Sequence, residues 1–238
     1  MNRLDTKTRT AVISALVEGC SIRSTVRLTG VSAPTVLKLL VEAGAVAARF
    51  QDRMFRNLTC RRIQVDELWA FIGAKQKNVT PAIRAKNPDA GDIWLWIAID
   101  AETKIVPSWM LGGRDASVAS QFLYDLRQRL ANRVQLTSDG HKAYLEGVDY
   151  AFGGMNVDYA MLVKIYGSER AGEARYSPAE CIGCKSKAIH GRPDPEHIST
   201  SFAERQNLSV RMGLRRYTRL TNAFSRKLTN HVAAVALY

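Results

Sequence analysis

The chain has 238 residues, 46% of them hydrophobic, and carries 34 Lys and Arg against 22 Asp and Glu, a net charge of +12. That length suffices for one sizeable core plus a small extra module, and the apolar content excludes a disordered chain. The positive excess points to a polyanionic partner, most simply nucleic acid. No run reaches the roughly 18 apolar residues that span a bilayer, so no membrane association is expected. The N-terminus has no apolar signal-peptide core. The expectation is a cytoplasmic protein whose cysteines, Cys20, Cys60, Cys181 and Cys184, are free thiols.

Residues 5–48 read as three helices. Ala11, Val12, Leu16 and Val17 form the apolar face of the first, which ends at Glu18-Gly19. Ile22, Val26 and Leu28 suit a second, capped by Ser21. Thr29-Gly30-Val31 turns the chain. Ser32-Ala33-Pro34 then opens a third, with Val36, Leu37, Leu40 and Val41 inward. A short helix, a Gly-containing turn and a second helix is the layout of a helix-turn-helix, with Ser32, Thr35 and Lys38 exposed toward DNA. Residues 1–62 hold eleven Lys and Arg against four acids. Their most basic part, a linker over 49–62 that includes Arg61 and Arg62, is expected to track phosphates. An ordinary three-helix bundle making protein contacts is the plainer reading.

Residues 62–72 read as a strand with apolar side chains on both faces, hence a central strand. Ile63, Val65, Trp69 and Phe71 share one face with Glu67; Leu68, Ala70 and Ile72 share the other with Asp66. A carboxylate buried there needs a counter-charge, and pleat alone does not choose between Asp66 and Glu67. Residues 74–91 read as a loop or hairpin tip, Ile93–Ile99 as a buried strand, and Lys104–Leu111 as a strand that Pro107 assigns to an edge or bulge. Asp115 or Ser117 caps a helix through Leu130 carrying Val118, Phe122, Leu123 and Leu126. Residues 134–138 form a further strand ending at Asp139-Gly140, and a helix begins at His141. This order predicts an α/β domain over 63–238 with a mixed sheet and flanking helices, matching the start of a ribonuclease-H-like fold.

Sites in open α/β sheets form at strand ends, where Asp139 falls; an Asp before Gly is also a common turn. If its strand lies beside the opening one, Asp139 meets Asp66, and a hard cation such as Mg2+ relieves their repulsion. Residues 146–197 read as an irregular insertion, with a strand over Val157–Ile165 and a loop over Gly167–Pro178. Cys181 and Cys184 have the spacing of half a zinc site, with His190 and His197 following. A helix starts near Ser201, with Glu204 either its capping-box partner or a third site carboxylate. Glu204, Leu208, Arg211 and Arg215 would share one face. From Arg205 onward there are seven Lys and Arg, including Arg205, Arg211, Arg215 and Arg216, and no acid. That segregation favours DNA contact. Val232–Tyr238 reads as an apolar helix packed on the core or a partner.

Val65-Asp66-Glu67-Leu68-Trp69, Thr137-Ser138-Asp139-Gly140, Ser201-Phe202-Ala203-Glu204-Arg205-Gln206-Asn207-Leu208 and Arg219-Leu220-Thr221-Asn222-Ala223-Phe224-Ser225 resemble the DDE transposases of bacterial insertion sequences of the insertion-sequence-one type. The resemblance implies a ribonuclease-H-like domain with Asp66, Asp139 and Glu204 as its acidic triad. It implies two Mg2+ (or Mn2+) ions per site and in-line strand cleavage and strand transfer on double-stranded DNA, both element ends and target. A homodimer or higher assembly on DNA in the bacterial nucleoid follows from the need to pair two ends. Many relatives carry a cysteine-rich zinc-binding segment ahead of the helix-turn-helix, and this chain shows none there. A resolvase-like nuclease and a non-catalytic DNA-binding regulator are the alternatives.

Overall fold

The computed structural model describes residues 4–153, 156–167, 181–218 and 223–238. The expected loop over 167–178, apart from Gly167, and residues 219–222 of the C-terminal motif lie outside the described residues. Among the described residues, no single helix is long and apolar enough to cross a membrane.

Three helices, α1 (Thr6–Val17), α2 (Ile22–Thr29) and α3 (Ala33–Met54), precede β1 (Arg62–Ile72). Then follow α4 (Pro81–Lys86), β2 (Gly91–Asp100), β3 (Ser108–Gly112), α5 (Ala116–Arg129), β4 (Val134–Ser138) and α6 (Ala143–Phe152). The chain continues through β5 (Val157–Tyr166), β6 (Cys181–His190), α7 (Ser201–Gly213) and α8 (Leu228–Leu237). The molecule is an α/β protein with one six-stranded mixed sheet in the order β3-β2-β1-β4-β5-β6, helices lying on both faces.

β1 lies inside the sheet, antiparallel to β2 and parallel to β4. β3 is an edge strand and begins directly after Pro107, which lacks the N–H that a ladder needs. Within 146–197 the described residues include two strands of the sheet. β5 pairs parallel with β4, and β6 pairs antiparallel with β5, so this segment extends the sheet. The expected loop over 74–91 holds α4, capped by Thr80 with a Pro in its first turn.

The pleat of β1 divides the core as its sequence predicts. Ile63 and Val65 join Trp96, Phe122, Leu126, Tyr144 and Tyr159 beneath α5 and α6. Leu68, Ala70 and Ile72 join Val12, Leu16, Val36, Leu40, Val210 and Ala233, contributed by α1, α3, α7 and α8. The N-terminal helices thus share a core with the sheet.

Several helix faces are narrower than periodicity suggests. Val12 and Leu16 are buried in α1, but Ala11 and Val17 are exposed. Leu28 of α2 is 70% exposed, and in α3 Leu39 takes the inward place expected of Val41, leaving Leu37 only partly buried. Residues 49–54 are helix rather than linker. They contain no Gly or Pro, and they gain partners: Gln51 Nε2 donates to Val106 O at 2.9 Å, Trp109 Nε1 donates to Gln51 Oε1 at 2.6 Å, and Arg129 Nη2 reaches Asp52 Oδ1 at 3.0 Å. The α3–α8 crossing is close because position 44 is glycine: a Cβ there would fall 2.6 Å from Ala233 Cα. α2 and α3 meet at 110° across Gly30, which sits at φ 70°.

Candidate metal centre

β1 and β4 pair through Gln64 and Thr137 and no further. β4 stops at Ser138, while β1 runs on to Ile72. Two residues past the last pair on each strand are Asp66 and Asp139. Parallel strands in register therefore set these carboxylates side by side where the sheet splays open. Carboxylate oxygens of Asp66, Glu67 and Asp139 lie within 4.8 Å of one another.

Asp66 is held but not neutralised. Its Oδ1 accepts from the Glu67 backbone N at 2.8 Å, and its Oδ2 accepts from Asn207 Nδ2 at 2.8 Å. Burial pushes its pKa up to about 7 from 3.8, and the like charges of Glu67, Asp139 and Glu204 add to the shift, against the lowering hydrogen bond from Glu67 N. Asn207 is buried on α7, and its Oδ1 has no partner. Asp139 Oδ1 accepts from the His141 backbone N at 2.9 Å, a turn that starts the run into α6. The His141 ring stacks on Trp96, with its Nε2 buried and unpartnered.

Glu67 points through the sheet to the α5–α6 side and is fully engaged. Arg114 Nε and Nη2 reach its Oε1 at 2.7 and 2.6 Å, and the Tyr144 hydroxyl donates to its Oε2 at 2.8 Å. Burial and the Glu67 charge together raise the Tyr144 pKa well above its usual value, so the phenol stays a donor. Arg114 also lies over the Trp94 ring at 4.7 Å.

Glu204 sits in the first turn of α7 and is near enough to act on Asp66, but it falls outside the tight group. Its Oε1 accepts from Thr200 Oγ1 at 2.6 Å and pairs with Lys164 Nζ of β5 at 2.5 Å. The expected Ser201–Glu204 capping box does not form. Gln64 of β1, 4% exposed, caps α7 instead: its Oε1 accepts from Phe202 N at 2.7 Å and Ala203 N at 3.2 Å. A strand side chain thus fixes the start of the helix that carries Glu204 and Asn207.

The donor set is all oxygen, suited to a hard cation. The charge left on Asp66 and the unpartnered Asn207 carbonyl beside it both fit a bound cation. Sequence reasoning missed Gln64, Asn207, Arg114, Tyr144 and Lys164 as supports. Asn207 alone left a local signal, lying three residues after Glu204 on one helix face.

No protein-family model matches the chain, and no curated protein matches it either.

The residues expected to meet DNA are scattered. Ser32 and Lys38 are exposed and Thr35 is half-buried; Ser32 Oγ bonds Thr35 Oγ1 at 3.0 Å, and Lys38 pairs with Glu42. Arg62 opens β1, about 13 Å along the strand from Asp66, and Arg61 precedes it. There they line a groove of mixed charge, with Arg62 bound to Glu102 at 3.0 Å. Arg205 is exposed and Arg211 half-buried. Arg215 is exposed beyond the end of α7, so the Glu204–Arg215 face breaks at Gly213. Arg216 donates to Ser225 Oγ at 2.7 Å.

Arg215 and Arg216 nevertheless help line the 740 Å³ groove between α2, the start of α3 and residues 223–230, with Arg23 and Arg226 completing its cations. Among its described lining residues there is no acid. The proposed zinc ligands do not assemble. Cys181 and His190 stand at opposite ends of β6, His190 Nε2 binds Asp149 at 2.7 Å, and His197 lies against Asp194.

Proposed function

We propose that the protein is a DNA transposase of the DDE class that cuts and joins strands by in-line phosphoryl transfer. The observation that carries this reading is the pair Asp66–Asp139 at the splay of β1 and β4, with Asn207 tying Asp66 to the helix that bears Glu204. The strand order, with three antiparallel strands followed by two parallel ones, is compatible with a ribonuclease-H-like fold. Asp66, Asp139 and Glu204 would hold divalent cations, Mg2+ or Mn2+. Such ions supply charge stabilisation at phosphorus and lower the pKa of a bound water or hydroxyl.

The chain's own groups do the rest. Asn207 orients the Asp66 carboxylate. Lys164 pairs with Glu204, a counter-charge that a bound cation would replace. Arg23, Arg215 and Arg226 offer a groove to the phosphate backbone. The 110° meeting of α2 and α3 is the angle of a helix-turn-helix, which supports docking of α3 on double-stranded DNA. Joining two element ends calls for at least two copies of the chain.

Single replacement of Asp66, Asp139 or Glu204 by Ala should abolish Mg2+-dependent strand cleavage while DNA binding persists. Cleavage by all three variants would sink the proposal. A second ligand set has its own support, because Glu67 rather than Glu204 lies within 4.8 Å of the aspartates. Cleavage retained by Glu204→Gln and lost in Glu67→Gln would select it. Strand transfer from pre-cleaved ends separates a transposase from a nuclease or resolvase, and salt-sensitive binding without turnover would mark a regulator.

A further inference from the structure

β6 opens with a cysteine pair that the metal centre does not use. In a regular strand, positions three apart point to opposite faces. Here the ladder with β5 skips a residue: Lys164 faces Cys184, Ile165 faces Gly183, and then Tyr166 faces Cys181. Ile182 is the extra residue of a β-bulge. The bulge removes one step from the count. Cys181 and Cys184 stand opposite Tyr166 and Lys164, which are two apart on β5, so the two thiols share a face. Two strand steps of ~3.3 Å give about 6.6 Å between their Cα atoms, inside the ~4.4–6.8 Å that a disulfide spans.

Cys181 Sγ donates to Gly183 O at 3.3 Å. Both cysteines are exposed, whereas Cys60 is buried and Cys20 half-buried. Lys164, opposite Cys184 on β5, is taken up by Glu204. Both thiols are open to a disulfide reagent in solution, and the bulge brings them within bonding reach of each other.

We propose that Cys181 and Cys184 are a redox-active dithiol that closes reversibly to a disulfide by exchange with a low-molecular-weight disulfide. One thiolate attacks a sulfur of the small disulfide and expels one thiol, leaving a mixed disulfide. The second cysteine then attacks the protein sulfur, forming the Cys181–Cys184 bond and expelling the second thiol. The protein loses two protons and two electrons, which the small disulfide takes up in becoming two thiols.

The test uses the full chain, reduced and then equilibrated with oxidised glutathione, alkylated and peptide-mapped. The peptide holding Cys181 and Cys184 should appear unalkylated and lighter by two hydrogens. Cys20 and Cys60 should remain alkylated, and excess reduced glutathione should restore both thiols. Cys181→Ser should stop at a persistent glutathione adduct on Cys184. Alkylation of both cysteines throughout, separate glutathione adducts on each, or a bridge between two chains would each overturn the proposal. The readout is a covalent bond and stands independently of any DNA chemistry.

Discussion

At the scale of single residues, the site is a set of carboxylates with different fates. Glu67 is buried with its counter-charge, while Asp66 is half-buried with only neutral donors. The Asp66 carboxyl, raised from 3.8 to about 7, works against the fold. Its stability contribution is best below pH 4 and is lost as pH rises through 7, because the folded state holds a proton that the unfolded chain releases. Asp66→Asn should therefore stabilise the fold at pH 8 without divalent ions by about 1–3 kcal/mol after allowance for solvent screening, read as a higher melting temperature. Added Mg2+ should raise the melting temperature of the parent but leave that of Asp66→Asn unmoved. An equal shift in both would place the cation elsewhere. Removing the partner of Glu67 has the opposite sign: Arg114→Ala leaves a buried carboxylate with only Tyr144, a loss of about 3–5 kcal/mol by chemical denaturation.

At the scale of elements, two contacts set where α7 and α3 lie. α7 begins where Gln64 accepts its first amide groups, so β1 carries both Asp66 and the cap of the helix facing it. Gln64→Ala should cost about 1–2 kcal/mol and lower Mg2+ affinity, because Asn207 and Glu204 lose their anchor. Unchanged calorimetric Mg2+ binding would show that α7 is positioned by packing alone. Gly44 allows α3 to cross α8 at close range. Gly44→Val should destabilise by about 1–3 kcal/mol through overpacking, read from the shift in urea midpoint.

At the scale of the whole molecule, the N-terminal helices and the sheet are joined through one of the two cores. A chain beginning at residue 63 would expose the faces of Leu68, Ala70, Val210 and Ala233. It should aggregate or lack a cooperative melt by circular dichroism, and a sharp two-state transition would show that the sheet folds alone. His231 is buried between the Tyr217 hydroxyl, at 2.9 Å, and Ser225 Oγ, at 3.3 Å, and burial with the nearby Arg216 charge lowers its pKa from 6.5 to about 3. The unfolded chain takes up the proton first. Stability from this residue is complete above pH 6.5 and drains away toward pH 3, by up to about 4 kcal/mol. His231→Gln should flatten that part of the stability–pH curve.

Element types were largely legible because they depend on local pattern. The alternation in β1, the unbroken apolar run of β2, the Asp115 cap of α5 and the strand ending at Ser138 all follow from residues within one turn or one pleat of each other. Charge was equally legible: the acid-free stretch after Arg205 needs no coordinates to read. Tertiary structure alone decided the rest. Asp66 meets Asp139 because β4 pairs beside β1 in one register, and register is a contact between distant segments. Glu67 gains Arg114 and Tyr144, and Glu204 gains Lys164, from elements that their own neighbours in sequence do not predict. The shared core of α1, α3, α7 and α8, and the run of α3 through residues 49–54, also depend on such contacts. Local sequence sets what each segment becomes; which carboxylates are neutralised depends on long-range packing, since charge is compensated through space rather than along the chain.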